Sequence, residues 1–236
     1  MRLDGEPIIY QYVSLNHVSR YMVAATIAHE DQELGTRAGG FDIEDFKARA
    51  EAYLAGEEDP SGSTIPQQLV KNIFLTPDEN AVRKGVEAVL ATQFAYTLSD
   101  QRILELYLNY AQFGPNLYGV CAASWYYFNT PPWAMTPEQA ALLMGIVPFP
   151  SLIQRGPEGG AYVDKATYPK TWDNLNGAAN VWVPKQIEGM GGWQAAVATI
   201  GITDTAADHA DKRSNQDACS TMPRAVADRI KVDGGS

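Results

Sequence analysis

Residues 61–72 read SGSTIPQQLVKN, and seven of these twelve side chains can form hydrogen bonds. Such a run is poorly suited to filling a core. Pro66 fits the first turn of a helix, where its missing N–H costs nothing, and Gln67 and Lys71 then lie four residues apart on one face. The run therefore predicts a helix start that receives an anion.

Glu30 is the first candidate for acid–base chemistry. It follows Val23 and Ile27 at helical spacing, on a stripe predicted to face the interior. A carboxylate in such a place is poorly hydrated, which makes it a better proton acceptor near neutral pH. The alternative is a glutamate at a helix end whose side chain points to solvent, and this segment alone leaves both interpretations open.

Glu87 is the second carboxylate of interest, because it lies four residues after Arg83 and three after Lys84 on one predicted helix face. By itself, this spacing is typical of a solvated salt-bridge cluster, which contributes little to stability. The basic groups are nevertheless a local feature of an acidic chain. Their position favours a phosphate subsite over a general anion-binding surface.

The elements that must position these residues are predicted to be mainly helices. Five helix predictions rest on caps and apolar periodicity: from Ser19 to about Asp31, from near Thr64, from Asn80 to Leu98, after the cap Ser99, and from the capping box at Thr136–Gln139 to about Gly145. Beyond Pro150 the sequence is rich in Gly, Pro, Asp and Asn, with short helical candidates at Trp193–Ile200 and Pro223–Ile230. We expect one domain over residues 1–155 and a loop-rich C-terminal extension over residues 156–236, packed on the domain or appended to it.

Composition narrows the function classes. The chain has 236 residues, of which 45% are hydrophobic, enough for a core. Its formal charge of −10 argues against nucleic acid as a partner. The sequence contains no apolar stretch approaching the ~20 residues that span a bilayer, and its N-terminus lacks the pattern of a signal peptide.

Five sequence blocks together resemble one known family. Residues 61–72 differ from the motif GGSTITQQLVKN of the peptidoglycan glycosyltransferases of family 51 only at Ser61 and Pro66. The other blocks follow that family's order: ED at 30–31 with FD at 41–42, RKGVE at 83–87, ILELYLN at 103–109 with FG at 113–114 and YGV at 118–120, and EQAALL at 138–143. The resemblance covers roughly residues 10–153, about two thirds of the chain.

The resemblance implies a mainly α, lysozyme-like helical glycosyltransferase fold with a small membrane-proximal jaw subdomain, which would include Ile43–Pro60. It implies that Glu30 is the catalytic base and that Glu87 organises basic groups around the donor's pyrophosphate. It also implies a set of supporting and substrate-binding residues: Asp31, Ser63, Thr64, Gln67, Gln68, Lys71, Asn72, Arg83, Lys84 and Asn109. No cofactor is required, although the pattern leaves room for a divalent cation, Mg²⁺ or Mn²⁺, near Glu87.

The implied reaction polymerises lipid II into β-1,4-linked glycan strands with release of undecaprenyl pyrophosphate and inversion at the anomeric carbon. Lipid II, the nascent strand and other cell-wall synthesis proteins are the implied partners. The implied location is the extracytoplasmic face of the bacterial cytoplasmic membrane, with the anchor absent from this chain. Two alternatives stay open: a catalytically degenerate scaffold that binds lipid II or glycan, and a lysozyme-like enzyme that cleaves peptidoglycan.

Several residues depart from the family pattern. Leu34 replaces a phenylalanine, Arg37 or Ala38 replaces a histidine, and Glu79 stands where a basic residue is common. Pro66 replaces a threonine, and Asn116 stands where glycine is common. At these positions we expect differences from the family in rate and lipid selectivity.

The remaining polar and aromatic residues have simpler interpretations. In the oxidising compartment that the resemblance implies, Cys121 and Cys219 are a candidate disulfide, and the alternative is two free thiols. The histidines His17, His29 and His209 lack metal-ligand spacing and are interpreted as surface or capping residues. The aromatic run from Trp125 to Phe128 is interpreted as core.

Overall fold

The structure is a computed structural model that describes residues 2–3, 6–37, 63–74, 81–205 and 218–234. For residues 2, 3, 6, 74 and 81–88 it describes the backbone alone. The predicted jaw segment Ile43–Pro60 and the single residues Ala38, Ser61, Glu79 and His209 lie outside the described residues.

The described residues are mainly helical, as the sequence predicts. The α-helices are α1 (Arg20–Glu30), α2 (Ile65–Phe74), α3 (Ala81–Thr97), α4 (Asp100–Tyr110), α5 (Val120–Phe128), α6 (Pro137–Ile146), α7 (Pro169–Gly177), α8 (Val183–Gly189), α9 (Trp193–Ala198) and α10 (Arg224–Asp233). A π-helical turn, Ala178–Trp182, joins α7 to α8. Short 3₁₀ turns cover Leu15–His17 and Pro132–Ala134.

The strands are short and lie at the edges of the helical body. β1 (Arg2–Leu3) pairs antiparallel with β2 (Glu6–Pro7), and β6 (Gln154–Arg155) pairs antiparallel with β7 (Ala161–Tyr162). A three-stranded sheet has the order β3-β5-β4, in which β5 (Leu117–Tyr118) is parallel to β3 (Ile9–Tyr10) and antiparallel to β4 (Gln112–Gly114).

The predicted helix starts at Ser99 and Thr136 are confirmed together with their caps. Thr136 and Gln139 form the predicted capping box of α6, and Ser99 accepts a hydrogen bond from the backbone N–H of Arg102. Ser19 occupies the predicted N-cap position of α1, but its side chain forms no capping hydrogen bond. Its hydroxyl instead donates to the carbonyl of Met135 at 2.8 Å, because Ser19 is buried where α1 meets the loop before α6.

Helix α1 lies in the centre of the core, with α6, α8 and α9 packed against it. Residues 22–28 of α1 are buried, and none of them is more than 1% exposed. The predicted core role of the aromatic run is confirmed for Tyr126 and Tyr127, which are buried in α5.

The C-terminal part of the chain contributes to the same core. Leu175, Ala178, Val183 and Ala196 are buried together with the apolar face of α1. The sequence did not predict α7 and α8, whereas α9 and α10 correspond to the two short helical candidates. Cys121 in α5 and Cys219 form a disulfide, with their Cα atoms 6.0 Å apart.

Candidate active site

Glu30 lies at the last position of α1, and its side chain is only 10% exposed. Its Oε2 accepts a hydrogen bond from Nε2 of Gln68 at 2.9 Å. Its Oε1 lies 2.9 Å from Nδ1 of His29, which donates to the carboxylate when that nitrogen carries the proton. Each carboxylate oxygen keeps further lone-pair capacity, so the held carboxylate is still able to accept a proton.

Gln68 is the hydrogen-bonding centre of this cluster. Besides donating to Glu30, its Nε2 donates to the carbonyl of Ser63 at 2.8 Å, and its Oε1 accepts from the hydroxyl of Tyr107 at 3.2 Å. Burial, with a further contribution from the charge of Glu30, raises the pKa of Tyr107 well above its ordinary value. The hydroxyl therefore stays protonated and donates, which fixes the amide orientation that presents Nε2 to Glu30.

Asp31 holds the polypeptide around Glu30 in place. Its carboxylate accepts two hydrogen bonds from the guanidinium of Arg37, at 2.6 and 3.0 Å, and one from the backbone N–H of Ile65 at 3.0 Å. The side chain is 1% exposed. Asp31 thus joins the end of α1 to the turn at 31–37 and to the first residue of α2.

The backbone N–H groups described at the start of α2 donate within the protein. Thr64 is the N-cap: its backbone N–H donates to Oε1 of Gln67 at 3.0 Å, and its hydroxyl accepts from the N–H of Gln67 at 3.4 Å. Ile65 donates to Asp31, and Pro66 has no N–H. The anion at this helix N-terminus is the carboxylate of Asp31 itself, at the end where the helix dipole favours negative charge.

The other predicted site residues are distributed as follows. Lys71 and Asn72 are exposed on α2, whereas Ser63 and Thr64 lie at its start. The positions of Arg83, Lys84 and Glu87 lie on α3, which packs against α2, but their side chains are not among the described ones.

Asn109 is not brought into the Glu30 cluster. Its side-chain amide donates to the carbonyls of Val13 and Glu105, each at 2.8 Å, and accepts from the N–H of Val13 at 2.9 Å. It is 1% exposed and fixes the segment before α1 against α4.

Three residues of the cluster were not predicted as site residues: His29, Arg37 and Tyr107. His29 had been interpreted as a surface or capping residue, and only its place beside Glu30 in the sequence was a signal. Arg37 is among the departures from the family pattern, and Tyr107 lies in the block ILELYLN at 103–109 that carries the resemblance. Within the described part of the chain, no three His, Cys, Asp or Glu side chains are grouped closely enough to hold a metal ion.

The described helices include none with the length and apolar character needed to cross a bilayer. Their arrangement is the mainly helical, lysozyme-like architecture predicted from the sequence, with a glutamate whose side chain is 10% exposed at the end of the central helix. The sequence model of the family described as Transglycosylase matches residues 5–167. The chain belongs to this transglycosylase family.

Curated relatives carry a more specific description. The biosynthetic peptidoglycan transglycosylase of Pasteurella multocida (strain Pm70) is 39% identical over 158 residues, which cover 67% of this chain and 63% of that protein. The protein of the same description from Mannheimia succiniciproducens is 40% identical over 141 residues, covering 60% of this chain and 57% of its own length. That from Acinetobacter baylyi is 40% identical over 160 residues, covering 65% and 71%.

Proposed function

We propose that this chain is a peptidoglycan glycosyltransferase that polymerises lipid II, with Glu30 as the general base. Glu30 takes the proton from the 4-hydroxyl of the acceptor's N-acetylglucosamine as that oxygen bonds to the anomeric carbon of the donor's N-acetylmuramic acid. The bond from that carbon to the pyrophosphate breaks, undecaprenyl pyrophosphate leaves from the opposite face, and the linkage inverts from α to β. The contact of Glu30 with Gln68, a residue of the SGSTIPQQLVKN run, is the observation that supports this proposal.

The donor's pyrophosphate is assigned to the surface shared by α2 and α3. Lys71 and Asn72 are exposed on α2, and the packing of α2 against α3 places the positions of Arg83, Lys84 and Glu87 on the neighbouring helix. Cationic donors there stabilise the negative charge that develops as the leaving group departs. A divalent cation, Mg²⁺ or Mn²⁺, beside Glu87 is part of this proposal and would add to the same stabilisation.

The proposed setting is the bacterial cell envelope, at the extracytoplasmic face of the cytoplasmic membrane, where lipid II and the growing glycan strand would be met. The curated relatives named above are described as peptidoglycan transglycosylases, which supports the substrate class. The formal charge of −10 agrees with partners other than nucleic acid.

The test is the Glu30→Gln variant, assayed with purified lipid II. Glutamine keeps the shape and the hydrogen bonds but removes the basicity, so glycan synthesis should fall by at least ~10²–10⁴-fold while lipid II still binds. Glu33→Gln is the matched control, because Glu33 lies three residues beyond the end of α1, is 58% exposed and pairs at 3.4 Å with Arg37, not with Glu30. This control should polymerise at the wild-type rate.

The same assay separates the alternatives. Near-normal synthesis by Glu30→Gln would contradict the mechanism. A wild-type protein that binds lipid II without forming glycan would instead support a scaffold, and cleavage of finished strands would support a lytic enzyme.

A further inference from the structure

The segment from Trp193 to Asp204 lies beyond the end of the family match at residue 167, yet it packs around the elements that carry Glu30. The indole of Trp193 contacts the ring of Tyr21 on α1 edge to face, with centroids 5.4 Å apart. At the far end of the segment, Asp204 accepts two hydrogen bonds from the buried guanidinium of Arg20, at 2.8 and 2.7 Å. Both ends of the segment are therefore fixed to α1.

Between these two ends, the segment touches the turn that follows Glu30. Gly35 has φ of +89°, and a Cβ added to it would lie 2.1 Å from the carbonyl oxygen of Thr199 and 2.6 Å from its carbonyl carbon. This is contact of backbone against backbone, so no side-chain rotation is able to relieve a clash there. The next carbonyl, that of Ile200, accepts a hydrogen bond from Nε2 of Gln101 on α4 at 3.0 Å.

A shift of Gly35 has a direct route to the cluster. The turn at 31–37 is closed by the bonds from Arg37 to Asp31, and Asp31 also accepts from the first N–H of α2. Helix α2 carries Gln68, which bonds Glu30. The position of the Thr199 carbonyl thus bears on the position of both Glu30 and its partner.

We propose that the segment Trp193–Asp204 is a positioning element for the general base. It packs against the turn at Gly35 and thereby keeps Glu30 and Gln68 within hydrogen-bonding distance of each other. This inference rests on the proposed function for its catalytic consequence, because a misplacement of about 1 Å is enough to slow a reaction ~10²-fold. Gly35, Thr199 and Gln101 act through the turn and touch no substrate.

The experiment compares alanine substitutions at three glycines. Gly35→Ala introduces the clash with Thr199 and a left-handed alanine. Gly160→Ala has the same backbone strain, at φ of +78°, but lies outside the segment, and its Cβ would meet nothing within 4 Å. Gly145→Ala is the second control, since its Cβ would lie 2.9 Å from the Leu175 carbonyl oxygen and so disturbs the packing of α6 on α7.

At a temperature where circular dichroism shows all three variants folded, Gly35→Ala should lower kcat about 10- to 100-fold with little change in the affinity for lipid II. Both controls should stay within about threefold of wild type, because strain or a clash away from the turn leaves Glu30 in place. Hydrogen exchange of the amides at residues 31–37 and 64–68 should quicken in Gly35→Ala alone. Wild-type kcat and wild-type exchange in Gly35→Ala, or an equal loss in all three variants, would overturn the proposal.

A second variant covers the case in which Gly35→Ala does not fold, and hydrogen exchange covers the case in which the wild-type protein is inactive. If Gly35→Ala does not fold, Gln101→Leu removes the bond to the Ile200 carbonyl without a clash, and it should show the same loss of kcat and the same faster exchange; wild-type values for both would overturn the proposal. If the wild-type protein does not polymerise lipid II, the proposed function fails, and the exchange pattern alone then decides whether this segment seats the turn.

Discussion

At the residue scale, two adjacent glutamines have different tasks. Residues next to each other on a helix point about 100° apart. Gln67 therefore turns back to the cap residue Thr64, and Gln68 reaches Glu30 and Tyr107. We predict that Gln68→Ala lowers the rate of glycan synthesis at least about 10-fold, because Glu30 loses a donor that orients it.

Gln67→Ala is the matched variant for this prediction. It removes a capping interaction, so it should lower the free energy of unfolding by about 0.5–2 kcal/mol while leaving the rate within about threefold of wild type. Thermal unfolding and a lipid II assay on both variants measure the difference. Equal losses of rate would mean that the two side chains serve the site together.

Asn116 illustrates how a departure from the family pattern is accommodated. It has φ of +55°, in the turn between β4 and β5, and its carbonyl accepts from the N–H of Ile9 at 2.8 Å. Asparagine tolerates this left-handed conformation, whereas a β-branched residue does not. We predict that Asn116→Gly changes the free energy of unfolding little and that Asn116→Val lowers it by about 1–3 kcal/mol in urea titrations. Equal stability of the two variants would contradict this reading of the turn.

The residues of the site could be predicted individually but not as a cluster. Glu30 and Gln68 each lie in a recognisable block, but they are 38 positions apart, and the bond between them depends on where the packing of α2 against α3 and α4 places Gln68. His29 lacks metal-ligand spacing and is therefore not predicted as a site residue, although its side chain contacts the adjacent Glu30. Spacing along one chain segment carries no information about contacts between segments.

At the element scale, the turn at 31–37 is fixed by one buried ion pair. Asp31 and Arg37 are 1% and 12% exposed at their side chains, so losing Arg37 leaves a buried carboxylate without its cation, and losing Asp31 leaves Arg37 to pair with the exposed Glu33 at 3.4 Å. We predict that Asp31→Asn and Arg37→Met each lower the free energy of unfolding by about 3 kcal/mol, measured in urea.

The double variant tests whether the pair acts as a unit. Asp31→Asn combined with Arg37→Met should lose less than the sum of the two single losses, with a coupling of about 1–3 kcal/mol. Additive losses would show that the two side chains contribute to stability independently. Arg37, one of the two residues that could stand at the family's histidine, is well suited to this pair, because its planar guanidinium forms two parallel bonds to one carboxylate.

Helix predictions succeeded where local signals were sufficient and failed where packing decides. The capping box at Thr136 and the cap at Ser99 are local features, and both helices begin as predicted. Helix α7 reads PKTWDNLNG, in which Asp, Asn and Gly are weak helix formers. Its helical state follows from tertiary contacts, because Leu175 and the adjacent Ala178 are buried in the core formed around α1.

At the scale of the whole molecule, a disulfide and two indoles tie the C-terminal residues to the helical body. Cys219 is joined to Cys121, which lies 98 positions earlier in α5. The indole N–H of Trp125 donates to the carbonyl of Cys219 at 2.9 Å, and that of Trp133 donates to the hydroxyl of Ser220 at 3.0 Å. These contacts hold the segment that leads into α10, which itself packs on α5.

We predict that reducing this disulfide lowers the free energy of unfolding by about 4 kcal/mol, since the crosslink closes a long loop and restricts the unfolded chain. Urea unfolding of the wild-type protein with and without a thiol reductant measures the loss. The double variant Cys121→Ala with Cys219→Ala is the control, because it should be insensitive to the reductant. Mass spectrometry of the non-reduced protein gives the independent check: two free thiols, or equal stability in both conditions, would contradict the prediction and leave the two indole hydrogen bonds as the anchors of this segment.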